Sequence, residues 1–106
     1  MIKEMPCVDW DATAKNLAYL RTSNDNLKRN VCRILNKDCA GSCLKCSPIN
    51  RINMRVEQKE LGEVFFTGST TIANWENGRS KPSIEQILYY KELCETELDQ
   101  ILIFTK

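Results

Sequence analysis

Residues 58–82 read QKELGEVFFTGSTTIANWENGRSKP, and they carry the strongest local structural signals of the chain. Apolar residues recur at helical spacing over about 55–65, and Gly68 then interrupts the pattern. A second helix is predicted over about 69–77, because Gly78 stands where a helix C-cap glycine belongs. The stretch therefore predicts two short helices joined by a tight turn, which are the parts of a helix-turn-helix.

Helical spacing of apolar residues continues on both sides of this stretch, and alternating strand patterns are absent. Downstream, Ser83 and Gln86 match a capping box, in which each side chain bonds a backbone N–H group near the helix start. We therefore predict an all-α chain that forms a single domain over residues 1–106. Further helices are predicted over about 11–21, over about 26–36, from Ser83 to Leu93 or Cys94, and, opened by Thr96 with Asp99, to about Ile103.

The positive charge of the chain is concentrated in one segment. The 106 residues carry a formal net charge of +1, yet residues 21–55 hold eight basic and two acidic residues. The same segment contains four of the six cysteines. Such asymmetry is typical of a chain with a polyanionic partner, and a solvated basic face is the alternative interpretation.

Several classes of function are excluded or disfavoured by composition. Histidine is absent, which excludes histidine general bases, Ser–His–Asp and Cys–His nucleophile pairs, and mixed Cys/His zinc sites. No carboxylate cluster stands in a readable site, so we expect no enzymatic activity. No apolar run approaches the roughly 20 residues of a membrane helix, and the acidic N-terminal stretch lacks the apolar core of a secretory signal. We expect a soluble cytoplasmic protein, associated with the nucleoid and without a membrane partner.

Eight residues of the central stretch form a recognisable pattern: Gln58, Leu61, Ile72, Trp75, Glu76, Asn77, Gly78 and Pro82. Segment 16–21 upstream and segments 84–88 and 98–102 downstream extend it. The chain thereby resembles the phage repressor/Cro-type (Xre-type) helix-turn-helix family over about 70 of its 106 residues. The resemblance implies a five-helix repressor-like DNA-binding domain. It also implies an ion pair between Arg21 and Glu76 that ties the first helix to the recognition helix.

The chain departs from the family pattern between the first helix and the helix-turn-helix, which occupies 56–78. Arg21 and Gln58 lie 37 positions apart, roughly thirty more than the short connection of the family. The extra residues form the basic, cysteine-rich segment 21–55. The expected fold is therefore a five-helix repressor-like domain with an added helix and a cysteine-rich loop over 37–50.

Two further departures lie inside the helix-turn-helix. Gly62 stands at the family's small-residue position in the first of the two helices of the helix-turn-helix. There it permits a close helix approach, at a cost of roughly 1 kcal/mol in helix propensity. Phe66 stands at a turn position that usually holds glycine or a similar residue. Because its side chain disfavours positive φ, we expect a reshaped turn.

The second helix of the stretch carries the side chains that we expect to contact DNA. A helix fits the major groove, and its first turn points side chains at base edges. Asn74 has the groups for bidentate pairing with adenine and shares a face with Thr70, with Ser69 beside them. A solvated polar face is the alternative interpretation of any one of these residues. Phosphate contacts are predicted for donors near helix ends and in the following loop: Gln58, Thr71, Asn77, Arg79 and Lys81.

These features predict a sequence-specific transcriptional regulator that binds double-stranded DNA as a dimeric repressor. Self-association is expected through the C-terminal helices, because four consecutive apolar residues over 101–104 cannot all be buried in one small core. The alternative function is a protein-interaction module, antitoxin-like or an adaptor, on the same fold.

Four cysteines, Cys32, Cys39, Cys43 and Cys46, lie within fifteen residues. Four thiolates suit tetrahedral zinc, and the spacing of the last two is that of a zinc knuckle. We therefore predict a structural zinc site with these ligands. An iron–sulfur cluster, reversible disulfides and plain thiols are the alternatives. Cys94 is predicted to be a buried small hydrophobe.

Overall fold

The computed structural model describes residues 7–35 and 55–105, and this part of the chain is mostly helical. Its β-structure is limited to one antiparallel bridge between Val8 and Phe104, so the all-α prediction is confirmed. None of the helices in these ranges is both long and apolar enough to cross a bilayer. The helices are α1 (Trp10–Ser23), α2 (Asp25–Leu35), α3 (Gln58–Val64), α4 (Ser69–Asn77) and α5 (Ile84–Cys94), followed by a 3-10 turn at Leu98–Gln100.

Local signals fix most helix ends as predicted. Gly78 closes α4 in the left-handed region with φ 75°. The predicted capping box opens α5, since the Gln86 N–H donates to Ser83 Oγ at 3.2 Å and the Ser83 N–H donates to Gln86 Oε1 at 2.7 Å. The helix predicted from about residue 55 begins three residues later, at Gln58, and residues 55–57 are non-helical.

The predicted short last helix is present only as the 3-10 turn at Leu98–Gln100, and its predicted extension to about Ile103 is wrong. The Thr96 N–H donates to the Lys91 carbonyl and so closes α5 instead of opening a new helix. Ile101 and Leu102 continue the turn, and from Ile103 the chain pairs with the N-terminal segment, where the Asp9 N–H donates to the Ile103 carbonyl at 2.7 Å. The Thr105 N–H likewise donates to the Cys7 carbonyl at 2.8 Å, so pairing with the N-terminal segment replaces helix.

One hydrophobic core joins the five helices of the described residues. The predicted core residues Leu17, Leu61, Ile72 and Trp75 are all buried, with at most 3% of their surface exposed. The Tyr90 hydroxyl donates to the Leu17 carbonyl at 2.9 Å, so this buried phenol has the hydrogen bond that it needs. The core therefore positions α4 against α1 and α3.

The helix α2, which falls within the basic segment, is part of this core. Leu27 and Val31 are buried beside the other core residues. Asn30 donates from its side-chain amide to the Leu93 carbonyl at 2.9 Å, which ties α2 to the end of α5. The added helix is therefore built into the fold.

The predicted close approach at Gly62 is confirmed. A Cβ at this position would lie 2.9 Å from the backbone carbon of Gly68, closer than packed atoms come. The Thr67 N–H donates to the Gly62 carbonyl at 2.8 Å and fixes the turn against α3. Phe66 adopts a positive φ of 58°, contrary to the expectation that its side chain would keep it out of this conformation.

Candidate nucleic-acid interface

The helix α4 has one buried and one accessible face. Ile72 and Trp75 are buried, and the Trp75 ring meets Phe65 edge-on with the ring centroids 5.3 Å apart. Ser69 and Thr70 in the first turn are exposed. Asn74, one turn after Thr70, is half-buried. The three candidate base-reading residues therefore lie on the accessible part of a helix that is held rigidly from behind.

Two of the predicted phosphate donors are engaged inside the protein. The Gln58 side-chain amide donates to Glu76 Oε1 at 3.0 Å. The hydroxyl groups of Thr67 and Thr71 are hydrogen-bonded to each other at 2.9 Å. Both Gln58 and Thr71 are half-buried, and these internal hydrogen bonds hold their side chains in place. Sequence reasoning did not find these contacts, because they depend on how α3, the turn and α4 meet.

Glu76 lies in the last turn of α4 and is held by Arg21. Arg21 Nε donates to Glu76 Oε2 at 2.7 Å, and its Nη2 donates to Oε1 at 3.0 Å. Only 15% of the Arg21 side chain and 6% of the Glu76 side chain are exposed. Because carboxylates are unfavourable near a helix C-terminus, the guanidinium compensates a charge that α4 could not otherwise bury. The ion pair that the family resemblance implied is confirmed.

The loop after α4 presents the remaining predicted donors. Asn77, Arg79 and Lys81 are all exposed. The Arg79 N–H donates to the Asn74 carbonyl at 2.9 Å, so the loop leaves the helix in a fixed direction. The Lys81 ammonium lies 5.2 Å from the centroid of the Trp10 ring, within the range of a cation–π contact. The loop that follows α4 therefore carries two exposed cations, of which Lys81 lies over the first residue of α1.

One acidic residue near this loop was missed by sequence reasoning. Asp11, in the first turn of α1, places Oδ1 3.4 Å from the point that a Cβ at Gly78 would occupy. Its only sequence signal is the preference of carboxylates for a helix N-terminus. Asp11 therefore places a carboxylate beside the C-terminal end of α4.

The predicted zinc ligands fall almost entirely outside the described residues. Cys32 lies half-buried on α2, whereas Cys39, Cys43 and Cys46 lie in the range 36–54 that the structure does not describe. Among residues 7–35 and 55–105, no three side chains of metal-binding type are grouped as a metal ion needs. The four-cysteine zinc site stays a prediction. Cys94 is buried as predicted, and burial raises the pKa of its thiol to about 12, which keeps the thiol protonated and unreactive.

A scan against protein-family models, a search of curated proteins and a search of solved structures found no match to this chain.

Proposed function

We propose that the chain is a sequence-specific DNA-binding transcriptional regulator that inserts α4 into the major groove. The observation that carries this proposal is the division of α4 into a buried apolar face and an accessible polar face. Ser69 and Thr70 occupy its exposed first turn, which is the part of a recognition helix that approaches base edges. Asn74 extends the same face by one turn and supplies the donor–acceptor pair that matches adenine.

The rigidity of the α3–α4 pair supports this proposal. Reading bases requires that the helix present its side chains in a fixed position relative to the phosphate backbone. The contact of Gly62 with Gly68 fixes the turn, and Arg21 fixes the last turn of α4 through Glu76. A freely moving helix would lose entropy when it bound DNA, whereas a fixed one avoids most of that loss.

Phosphate contacts are assigned to the loop after α4. Arg79 and Lys81 are exposed cations, and the Asn77 amide is an exposed donor at the end of the helix. Each of these groups forms charge-assisted or neutral hydrogen bonds with phosphate oxygens. Gln58 and Thr71 remain phosphate-contact candidates whose internal hydrogen bonds hold them in place.

A homodimeric repressor is the form that we propose, with two copies of α4 reading two half-sites. The C-terminal apolar residues are only partly buried, as their sequence predicts. Ile101 and Leu102 are buried in the core of their own chain, whereas 45% of the Phe104 surface is exposed. Phe104, with half-buried Ile103 beside it, is therefore the part of this segment left for a second copy.

The alternative function, a protein-interaction module, is favoured by a different part of the surface. Phe66, Ile84 and Leu88 are large apolar side chains that are exposed outside α4. They would serve a partner protein and have no role in reading DNA. The two functions are compatible on one domain, since these residues and the polar face of α4 are distinct.

Selection of bound fragments from random double-stranded DNA tests the DNA-binding proposal. We expect a recurring sequence to be enriched, and its affinity to fall steeply as salt rises because bound phosphates release counterions. Enrichment of no sequence, or binding that is insensitive to salt, would contradict the proposal. The same fragments tested with the chain at rising concentration would show whether one or two copies bind.

A further inference from the structure

An apolar groove lies between the α3–α4 turn and the N-terminal half of α5. Phe66 forms one wall and is 97% exposed, so its ring buries almost nothing in the fold. The phenol ring of Tyr89 is half-buried on the opposite side. The residues that line the groove are Val64, Phe65, Phe66, Glu85, Gln86 and Tyr89.

The backbone holds Phe66 in a conformation that its side chain disfavours. Its φ of 58° lies in the left-handed region, where a residue without a Cβ fits best. The Phe66 N–H donates to the Glu63 carbonyl at 3.1 Å, and the Gly62 carbonyl accepts from Thr67, so the turn cannot relax easily. An exposed aromatic ring on a strained backbone gives the fold no compensating burial. Such strain is typical of residues that contact a partner.

Further apolar surface continues from the groove along the outer face of α5. Ile84 is 63% exposed and Leu88 is 45% exposed, and the two lie one helical turn apart. Glu85 lies between them and the groove, and its exposed carboxylate forms part of the groove wall. We call the groove together with Ile84 and Leu88 the Phe66 surface.

The charges around the Phe66 surface are mostly negative. Glu63, Glu85 and Glu92 are exposed on the elements that form it. Two cations lie among them: half-buried Lys91, one turn after Leu88, and exposed Lys59, one turn before Glu63. These carboxylates would repel DNA, and a second copy of the same surface would bring Glu85 against Glu85. The complementary occupant therefore carries apolar side chains with basic residues beside them.

We propose that the Phe66 surface binds a segment of a partner protein that presents apolar side chains flanked by lysine or arginine. Phe66 is the anchor, because aromatic residues that project from a surface bury the most area on contact. Leu88 and Ile84 extend the contact along α5, and Glu85 pairs with a basic side chain of the segment. This interaction rests on the alternative function proposed above, for which it names the partner's chemistry, and it does not depend on DNA binding.

The proposal is tested by titrating the ¹⁵N-labelled full chain with a synthetic amphipathic peptide. The peptide consists of leucine and lysine and has about 14 residues, roughly four helical turns. We expect chemical-shift changes centred on Phe66, Leu88 and Tyr89. A matched peptide with glutamate in place of lysine should bind at least about tenfold more weakly, because it meets the same carboxylates. Shift changes that avoid these residues, or equal affinity for the two peptides, would overturn the proposal.

Two variants separate the contact from the fold. Phe66→Gly should retain the fold, because glycine adopts φ 58° without strain. It should lower the affinity for the lysine peptide at least about fivefold. Leu88→Ser, on the exposed face of α5, should also lower the affinity for the lysine peptide. Tyr19→Ser is the matched control, since Tyr19 is an exposed aromatic residue on α1. Unchanged peptide affinity in the folded Phe66→Gly variant would also overturn the proposal.

Discussion

Arg21 and Glu76 are 55 positions apart in the chain and form a two-point ion pair, with N–O distances of 2.7 and 3.0 Å. The remaining Arg21 nitrogen, Nη1, donates to the Val56 carbonyl at 2.6 Å. One guanidinium therefore connects α1, the residues that enter α3, and the last turn of α4. Glu76 accepts a further hydrogen bond from Gln58, so the carboxylate is bound from two elements.

Replacing Arg21 by alanine should destabilise the fold by about 3–5 kcal/mol, because Glu76 would remain buried without its partner. Urea unfolding followed by circular dichroism measures the change in the free energy of unfolding. Arg33→Ala is the control, since Arg33 is exposed on α2 and its loss should change stability by about 0.5 kcal/mol or less. Equal unfolding midpoints for the two variants would show that the ion pair does not hold α4.

Gly62→Ala should destabilise the chain by about 1–3 kcal/mol, because the added Cβ would meet the Gly68 backbone at 2.9 Å. Gly68→Ala is the matched control. A Cβ there meets only the Thr70 nitrogen at 4.0 Å, and its φ of −100° suits alanine. Because Gly68 is the N-cap of α4, where alanine is less favourable, a smaller loss of roughly 0.5 kcal/mol is expected. Thermal melting of both variants compares them directly. A Gly62→Ala variant as stable as Gly68→Ala would contradict the close packing of α3 on the turn.

Most of what the sequence predicted correctly depends on local signals. Gly78 and the Ser83–Gln86 pair fix helix ends within one turn of chain, so α4 and the start of α5 were predicted almost to the residue. Buried positions such as Leu61 followed from helical spacing. Local signals of this kind do not require knowledge of the tertiary fold.

The features that sequence reasoning missed are set by distant partners. The residues from Ile103 onward do not continue a helix because Ile103 pairs with Asp9, 94 positions earlier. Gln58 and Thr71 were predicted to face phosphates, and their internal hydrogen bonds arise only where α3 and α4 meet. Phe66 takes a positive φ because the surrounding turn is fixed by Gly62, which overrides the preference of the residue itself.

Glu95 should make the stability of the chain sensitive to acid. Hydrogen bonds from Asn30 and then Arg29 lower the pKa of the Glu95 carboxyl below its ordinary value. The contribution of the Glu95 carboxylate to the free energy of unfolding is therefore present above the pKa of the unfolded state. It is lost as the pH falls through the lower pKa of the folded state. Urea midpoints measured between about pH 7 and about pH 3 should fall more for the wild type than for Glu95→Gln. Parallel curves for the two proteins would show that the contacts of Glu95 with α2 do not contribute.

The predicted zinc site is tested by metal content. The purified full chain should contain about one zinc ion per chain, and Cys43→Ser should lower that content because a tetrahedral thiolate site loses a ligand. Cys94→Ala is the control, since the Cys94 thiol is buried in the core away from any proposed ligand role. Removal of the metal by a chelator should leave the helical signal of the core largely intact. Protein purified without zinc or iron would contradict the prediction and favour thiols or disulfides.

The most direct test of DNA reading by α4 is the affinity of Thr70→Ala and Asn74→Ala for the selected DNA sequence and for a scrambled one. We expect each variant to lose about 1–3 kcal/mol on the selected sequence and almost nothing on the scrambled one, because the proposal assigns these side chains to bases and not to phosphates. Arg79→Ala is the matched comparison and should weaken binding to both sequences alike. Equal losses on both sequences for Thr70→Ala and Asn74→Ala would contradict the assignment of α4 as the recognition helix.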